Sequence, residues 1–448
     1  MIFVVLTNHD RTGIIITYKI MKKKILILSI TAGNGHNACA NSMKRKLESL
    51  EDVEVKIVDL LKNYSSKLNV WVSDKGYSLS VGKLLPIYNA FYNHYKKADP
   101  EKRYSCPSQK TTVSALNGLM KEILDFKPDV IYSTHFYGAI AVTDLQLIYK
   151  LPCTTVVSNL DYVNSPFWEA GIGVDYFAIP NEDFIDECIS EGYSREQLLP
   201  IGLPVDERTL ERIDKSEARK KLGLEEDVFT VMVMFGGGHW SGGFKIFNEL
   251  VSALKGRKAQ IIMINGRNEE SYKKIEHMHF DEGIKVLNVG FTNNVPLYLS
   301  AADVILNKFG GTSVTEMINK SLPMLIVEKM AAQEQYNLVY MKEKGVAMSF
   351  KNGKELKENI LKLMDDPELL KSMSEKTKDL QKNSIDMLAK FILAQPKADY
   401  SELLSMNIDC DKVEKEVKKQ LKIADKVSRS QGKDKKPKNK KNNRPKFA

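Results

Sequence analysis

The 448-residue chain has no apolar stretch approaching the roughly 20 residues needed to cross a bilayer, so it is not read as an integral membrane protein. Cysteine is scarce and scattered. Cys39, Cys106, Cys153, Cys188 and Cys410 form no CxxC pair, which argues against a disulfide framework or a structural zinc site and points to a reducing cytoplasm. The first twenty residues hold two short apolar runs split by His9, Asp10 and Arg11, with no small-residue cleavage site after them. A signal peptide is a poor reading, and residues 1–20 are taken as an N-terminal extension ahead of Met21 and its three lysines. Two nucleotide signatures are also missing. None of the glycine turns carries the Lys-Ser/Thr of a P-loop or the spacing of a dinucleotide fingerprint, which disfavours ATP and NAD.

Positive charge is unevenly placed. Residues 411–448 hold fifteen Lys/Arg against five Asp/Glu, a net +10, whereas the whole chain carries +9, so the remainder is close to neutral. Residues 401–448 are accordingly expected to be a basic, largely disordered tail, solvated or attracted to anionic lipid or nucleic acid. With 43% hydrophobic and 27% charged residues, the body is globular and too long for one ordinary core.

Strand-like runs such as KILILSI, VEVKIVDL, DVIYST and TTVVSNL alternate with amphipathic stretches, and the rhythm restarts after Gly202 with FTVMVMFGGG, QIIMING, KVLNVGF, DVILNK and PMLIVE. Alternation of this kind means parallel sheets covered by helices. The expected fold class is α/β, with two Rossmann-like doubly wound domains facing across a cleft, one over 21–202 and one over 203–400. Ligands then bind beyond the carboxyl ends of the strands. Between Gly76 and Lys97 the residues Val81, Leu84, Leu85, Tyr88, Phe91, Tyr92 and Tyr95 recur at helical spacing between lysines. Such a stripe suits a membrane interface and equally suits packing on its own domain. Pro86 is compatible with the opening of a short helix.

Three glycine turns end strands. Ser29 to Gly35 leads into His36, a titratable group at the mouth of a cleft; a general base and a structural histidine are both open readings. Gly236, Gly237 and Gly238 offer successive amides to a diphosphate. Lys308 to Glu316 is a strand end, a Gly-Gly turn and a helix start, another anion site, with Glu316 placed for a ribose diol or for simple alignment with the helix dipole. Gln333, Glu334 and Asn337 follow the next strand on the same rim and suit sugar hydroxyls.

These residues resemble the glycosyltransferase family that holds monogalactosyldiacylglycerol synthases, bacterial diacylglycerol glucosyltransferases and, more distantly, the lipid II N-acetylglucosaminyltransferase. The similarity covers about residues 24–375 and is strongest in GFTNNVPLYLSAADVILNKFGGTSVTE and the Gln333-Glu334-x-x-Asn337 box. The resemblance implies a GT-B fold and an inverting transfer of glucose or galactose from a UDP-sugar to diacylglycerol. The enzyme would act as a peripheral protein at the inner membrane face, with an anionic membrane surface as partner and no specific nucleic acid. It implies His36 as base, Gly35, Gly236, Gly237, Gly238, Gly311 and Thr312 near the diphosphate, and Phe291 and Thr292 beside the uracil. Glu316 would bind the ribose, Gln333 and Glu334 the sugar, with Asn337 beside them, and Leu84, Leu85, Tyr88, Phe91 and Tyr92 the acceptor and membrane. No metal and no cofactor other than the donor is implied, and no DxD stands at a strand end. Departures are Ala32-Gly33-Asn34-Gly35 in place of a fuller glycine run, Phe309 in place of a common proline and Tyr336 in place of a glycine. Transfer to another acceptor, or epimerisation of a UDP-sugar, is the alternative on the same fold.

Overall fold

A computed structural model describes residues 2–7, 15–20, 22–31, 35–65, 84–97, 107–235 and 242–431. Strands β1 (Ile2–Thr7) and β2 (Ile15–Ile20) pair as an antiparallel hairpin outside the two main sheets. The first main sheet holds β3 (Lys23–Ser29), β4 (Val53–Asp59), β5 (Val130–Ser133), β6 (Thr154–Ser158), β7 (Tyr176–Ala178) and β8 (Leu198–Leu199). Its order is β4-β3-β5-β6-β7-β8, all parallel. The second holds β9 (Thr230–Met234), β10 (Ala259–Ile264), β11 (Ile284–Val289), β12 (Val304–Asn307), β13 (Met324–Val327) and β14 (Ala347–Phe350). Its order is β11-β10-β9-β12-β13-β14, also all parallel.

Alternation of side chains explains why these strands read as unbroken apolar runs. In β3, Leu26 and Leu28 face one core cluster while Ile25 and Ile27 face another, and all four are buried. In β9, Val231 and Val233 pack on one side and Met232 and Met234 on the other. A strand covered by helices on both faces has no side left for polar residues. The strand order reverses between β3 and β5 and again between β9 and β12, so the loops after β3 and β9 leave at the two topological switch points.

One apolar cluster runs through both halves, from Val157, Phe177 and Ile179 to Met232, Ile305 and Met317. The chain also returns to its beginning. Ile385, Leu388, Ala389 and Ile392 of the Ser384–Ala394 helix pack with Ile25, Ile27 and Met43, so residues assigned to the second half along the sequence lie in space against the first.

The expectation of a largely disordered segment over 401–448 is corrected for residues 401–431, while 432–448 lie outside the described residues. Ser401–Ser405 and Val413–Gln431 are helices, and Tyr400, Leu403, Val413 and Val417 are buried in the core of the first half. Val413, Val417 and Leu421 stand four residues apart, an apolar stripe that bulk charge conceals. Polar contacts reinforce it. Tyr149 donates to Glu416 at 2.6 Å, Asn117 accepts from the Glu414 amide at 2.7 Å, and Tyr400 donates to the Pro128 carbonyl at 2.8 Å. A charge at the centre of this stripe cannot be solvated. Val417→Asp is expected to cost about 3 kcal/mol or more of docking energy. Limited proteolysis then cleaves the segment after residue 395 while the far-UV circular dichroism of the two sheets persists.

Candidate active site

The chain leaving β3 is held at Thr31. Asp59, at the end of β4, accepts from the Thr31 amide at 2.8 Å and from the Thr31 hydroxyl at 2.6 Å. Ser29 donates to Asn37 Oδ1 at 2.6 Å and Asn37 Nδ2 donates back to Thr31 at 3.1 Å, so the start of the Gly35–Leu50 helix is fixed to the strand end.

His36 then has one orientation. Its Nδ1 lies 2.6 Å from the Thr134 carbonyl oxygen, which can only accept, so Nδ1 carries the proton and Nε2 is left as the basic nitrogen. Burial lowers the His36 pKa below 6.5, partly opposed by that carbonyl, and the ring is neutral near pH 7. His135 stands edge-on to it with ring centroids 4.6 Å apart. Its Nδ1 caps the Phe136–Gln146 helix by accepting from the Tyr137 amide at 3.1 Å, and burial together with His36 holds it well below the usual histidine range. Two neutral imidazoles therefore line the mouth of the first half. His135 was not singled out from sequence, although its place directly after the strand end DVIYST repeats the placement of His36.

Across the cleft the Gly311–Asn319 helix begins close to this histidine. The position of a Cβ on Gly35 would be 3.0 Å from Thr312 Oγ1, so two helix N-termini, one from each half, approach each other. N-termini expose unpaired amides and a partial positive charge, which makes their meeting point suited to an anion. Gly236, Gly237 and Gly238, expected on the same anion, lie outside the described residues, as do Ala32, Gly33 and Asn34.

Glu316 sits one turn into that helix. The residue is half-buried, and among the described residues no side-chain hydrogen bond reaches its carboxyl. Burial pushes it up to about 7, with Asp206 adding to the shift and Arg208 opposing it. A carboxylate short of partners is ready to accept from hydroxyl groups of a ligand. Phe291, at the end of β11, is 61% exposed with the Arg267 guanidinium 5.3 Å from its ring centroid, a platform open to a flat ring. Thr292 next to it accepts from the Asn294 amide at 3.0 Å.

Two expected ligand-facing groups are otherwise engaged. Asn337 is completely buried and its side chain is spent on the protein. Its Oδ1 accepts from the Tyr162 amide at 2.7 Å, and its Nδ2 donates to Asp161 at 2.8 Å and to the Phe309 carbonyl at 3.0 Å. It pins the loop after β6 to the second half and is a latch between the halves. Tyr92, expected at the membrane, is 1% exposed, because it falls one helical turn after Tyr88 and packs against Phe167 and Tyr336.

The other residues of that stripe divide. Helix Leu85–Lys97 carries Pro86 in its first turn, where the missing N–H costs nothing, and leaves Leu84, Ile87 and Phe91 exposed at 45, 66 and 43%. Leu85 and Tyr88 are half-buried, and Tyr88 donates to Gln333 Oε1 at 2.9 Å. Ile87, overlooked in the sequence pattern, completes the exposed stripe. Val81 is outside the described residues. Glu334 accepts from the Ala331 amide at 3.3 Å and lies 3.7 Å from Lys308. Among the described residues, no group of three His, Cys, Asp or Glu is placed to hold a metal, and no helix is long and apolar enough to cross a membrane.

Comparison with known proteins divides the chain at the same place as its sheets. Residues 36–205 match the monogalactosyldiacylglycerol (MGDG) synthase domain, and residues 230–389 match the glycosyltransferase family 28 C-terminal domain. A processive diacylglycerol beta-glucosyltransferase of Staphylococcus saprophyticus is 27% identical over 361 residues, covering 79% of this chain and 88% of that protein. The chloroplastic monogalactosyldiacylglycerol synthase of Spinacia oleracea is 26% identical over 352 residues, covering 75% of this chain and 65% of its own length. Among solved structures, MurG of Acinetobacter baumannii aligns with a TM-score of 0.55 at 11% identity, over 83% of this chain and 99% of that one. A co-structure of S. aureus MnaA with UDP aligns with a TM-score of 0.54 at 15% identity, over 84% and 100%. At these identities the structural likeness bears on the fold, which is GT-B.

The latch gives a direct test of how the halves are held. A Cβ on Gly311 would strike the Leu160 carbonyl oxygen and lie 2.8 Å from Asp161 Cα, both main-chain atoms that have no rotamer to yield. Gly311→Ala should therefore part the halves. Asn337→Ala strands the buried Tyr162 amide and removes one partner of the Asp161 carboxyl, and urea denaturation should show a loss of about 2–4 kcal/mol.

Proposed function

The chain belongs to the glycosyltransferases that join a monogalactosyldiacylglycerol synthase domain to a family 28 C-terminal domain, and from that premise we propose that it moves a hexose from a UDP-sugar to diacylglycerol at a membrane surface, with inversion. The observation that carries this reading is the tautomer of His36. Its Nδ1 is committed to the Thr134 carbonyl, and its basic Nε2 belongs to the half that faces the Gly311 helix start.

In this mechanism the acceptor hydroxyl gives its proton to His36 Nε2 as its oxygen forms a bond to the anomeric carbon. The bond from that carbon to the UDP oxygen breaks in the same displacement, and the electron pair leaves with the diphosphate. Charge developing there is met by the Thr312 amide and by the positive end of its helix, a fixed arrangement that need not reorganise during the reaction. Glu316 accepts from the ribose diol, Phe291 and Thr292 border the base, and Gln333 and Glu334 read the sugar. Of the two named relatives, one is by its description a diacylglycerol beta-glucosyltransferase and the other a monogalactosyldiacylglycerol synthase. The exposed stripe Leu84, Ile87 and Phe91 supports a lipid acceptor here, because an apolar ridge beside a cleft can seat the enzyme where that acceptor resides.

Two outcomes check the assignment. His36→Ala should lower kcat by about 10²- to 10⁴-fold while UDP binds with unchanged affinity in calorimetry. In the wild type, kcat/KM should fall as the pH drops through the His36 pKa, below 6.5, since only the neutral ring can take a proton.

Glu316 adds a test in which stability and binding move oppositely. Its folded pKa of about 7 exceeds the ordinary 4.5, so ionising it costs stability progressively from pH 4.5 to about 7 and by a constant amount above that. Glu316→Gln removes this cost. The variant should melt above wild type at pH 8, with the difference vanishing toward pH 4.5, while its UDP affinity at pH 8 falls about tenfold or more with the loss of a charge-assisted hydrogen bond.

A further inference from the structure

The helix Leu85–Lys97 has two neighbours and one open face, and together they assign a role to Tyr88 that its place in an amphipathic stripe conceals. Toward the second half, Tyr88 donates to Gln333 Oε1 at 2.9 Å, Asn89 Nδ2 donates to the Met330 carbonyl at 3.1 Å, and Asn93 accepts from Tyr336 at 3.1 Å. Toward the first half, Lys96 donates to the Asn164 carbonyl at 2.6 Å and pairs with Glu187 at 2.8 Å, which fixes the far end of the helix. Leu84, Ile87 and Phe91 face outward. The side chain that reads the donor sugar is thus held from the acceptor half, by the helix that presents the exposed apolar ridge.

A glutamine amide can turn over and offer a hydrogen-bond acceptor where it had offered donors. With Oε1 engaged by the Tyr88 hydroxyl, Gln333 keeps its two Nε2 hydrogens for the cleft. We propose that Tyr88 is a positioning residue for donor-sugar recognition, fixing Gln333 so that it presents N–H donors at one place and thereby separates hexoses that differ in the direction of a single hydroxyl. The inference rests on the reading of Gln333 as a sugar contact. A fixed donor discriminates because a hydroxyl oxygen displaced from it leaves a desolvated N–H unpaired, whereas a freely turning amide adapts to either epimer. The same bond links donor recognition to the helix that meets the membrane, so one rigid element joins the two substrates.

The test uses the full chain and the variants Tyr88→Phe, Gln333→Ala and the double variant. Dissociation constants for UDP, UDP-glucose and UDP-galactose are read by calorimetry, beside transfer to diacylglycerol in phosphatidylglycerol vesicles. Tyr88→Phe keeps the ring and its packing, so the melting temperature and the affinity for UDP alone should stay at wild-type values. The ratio of the two UDP-hexose affinities should shrink about five- to tenfold, the value of one hydrogen bond. In the Gln333→Ala background the same substitution should leave the hexose ratio unchanged, since the phenol acts on that ratio through the amide. An unchanged hexose ratio in Tyr88→Phe overturns the proposal, and so does an equal effect in the absence of Gln333. If wild type binds UDP-hexoses but forms no glycolipid, the assigned acceptor is wrong while the Tyr88 test still decides on the binding data. If it binds neither UDP-hexose, both fall.

Discussion

The joint beneath the cleft is built around a buried carboxamide. Asn337 bonds the loop after β6 in one half to the strand-end carbonyl of Phe309 in the other, with Asp161 and Tyr162 as its partners. Asn337 and Tyr162 are buried, so Asn337 cannot let go of the Tyr162 amide without stranding polar atoms away from water. The contact sits immediately before Gly311, where main chain approaches main chain too closely for any side chain. The distance between the histidine of one half and the helix N-terminus of the other is set there. Everything proposed about the reaction inherits that distance.

Around this joint the site is built from groups that are costly for folding. The half-buried Glu316 carboxyl is pushed up to about 7 and Asp161 to about 6, and the half-buried His36 stands beside the buried His135, both as neutral rings. Sites assembled for chemistry commonly hold perturbed groups of this kind, and the surrounding core offsets the cost. Here the offset comes from an apolar cluster continuous across both halves and from the return of the Ser384–Ala394 helix onto the first sheet.

Much of the fold was legible in the sequence because parallel strands buried on both faces must be apolar throughout, and their alternation with helices recurs twice. The strand ends were equally legible, since Gly-rich turns, His36 and the Gly310-Gly311 helix start follow those runs directly. What escaped the reading depended on tertiary partners. Asn337 looked like a sugar ligand because its box is polar, and only the second half's approach to Asp161 and Tyr162 makes it a latch. Tyr92 and Phe91 are neighbours in one apolar stripe, yet one is enclosed by Phe167 and Tyr336 while the other faces outward. The docked helix Val413–Gln431 was hidden by lysines that carry the charge while three apolar residues, four apart, carry the packing.

The most direct measurement of the central claim is the product itself. Purified protein given a UDP-hexose and diacylglycerol in vesicles should yield a hexosyl-diacylglycerol by mass spectrometry, and proton NMR of its anomeric centre should show the configuration opposite to that of the donor. A product that retains the donor configuration, or no glycolipid from either UDP-glucose or UDP-galactose, would contradict the account.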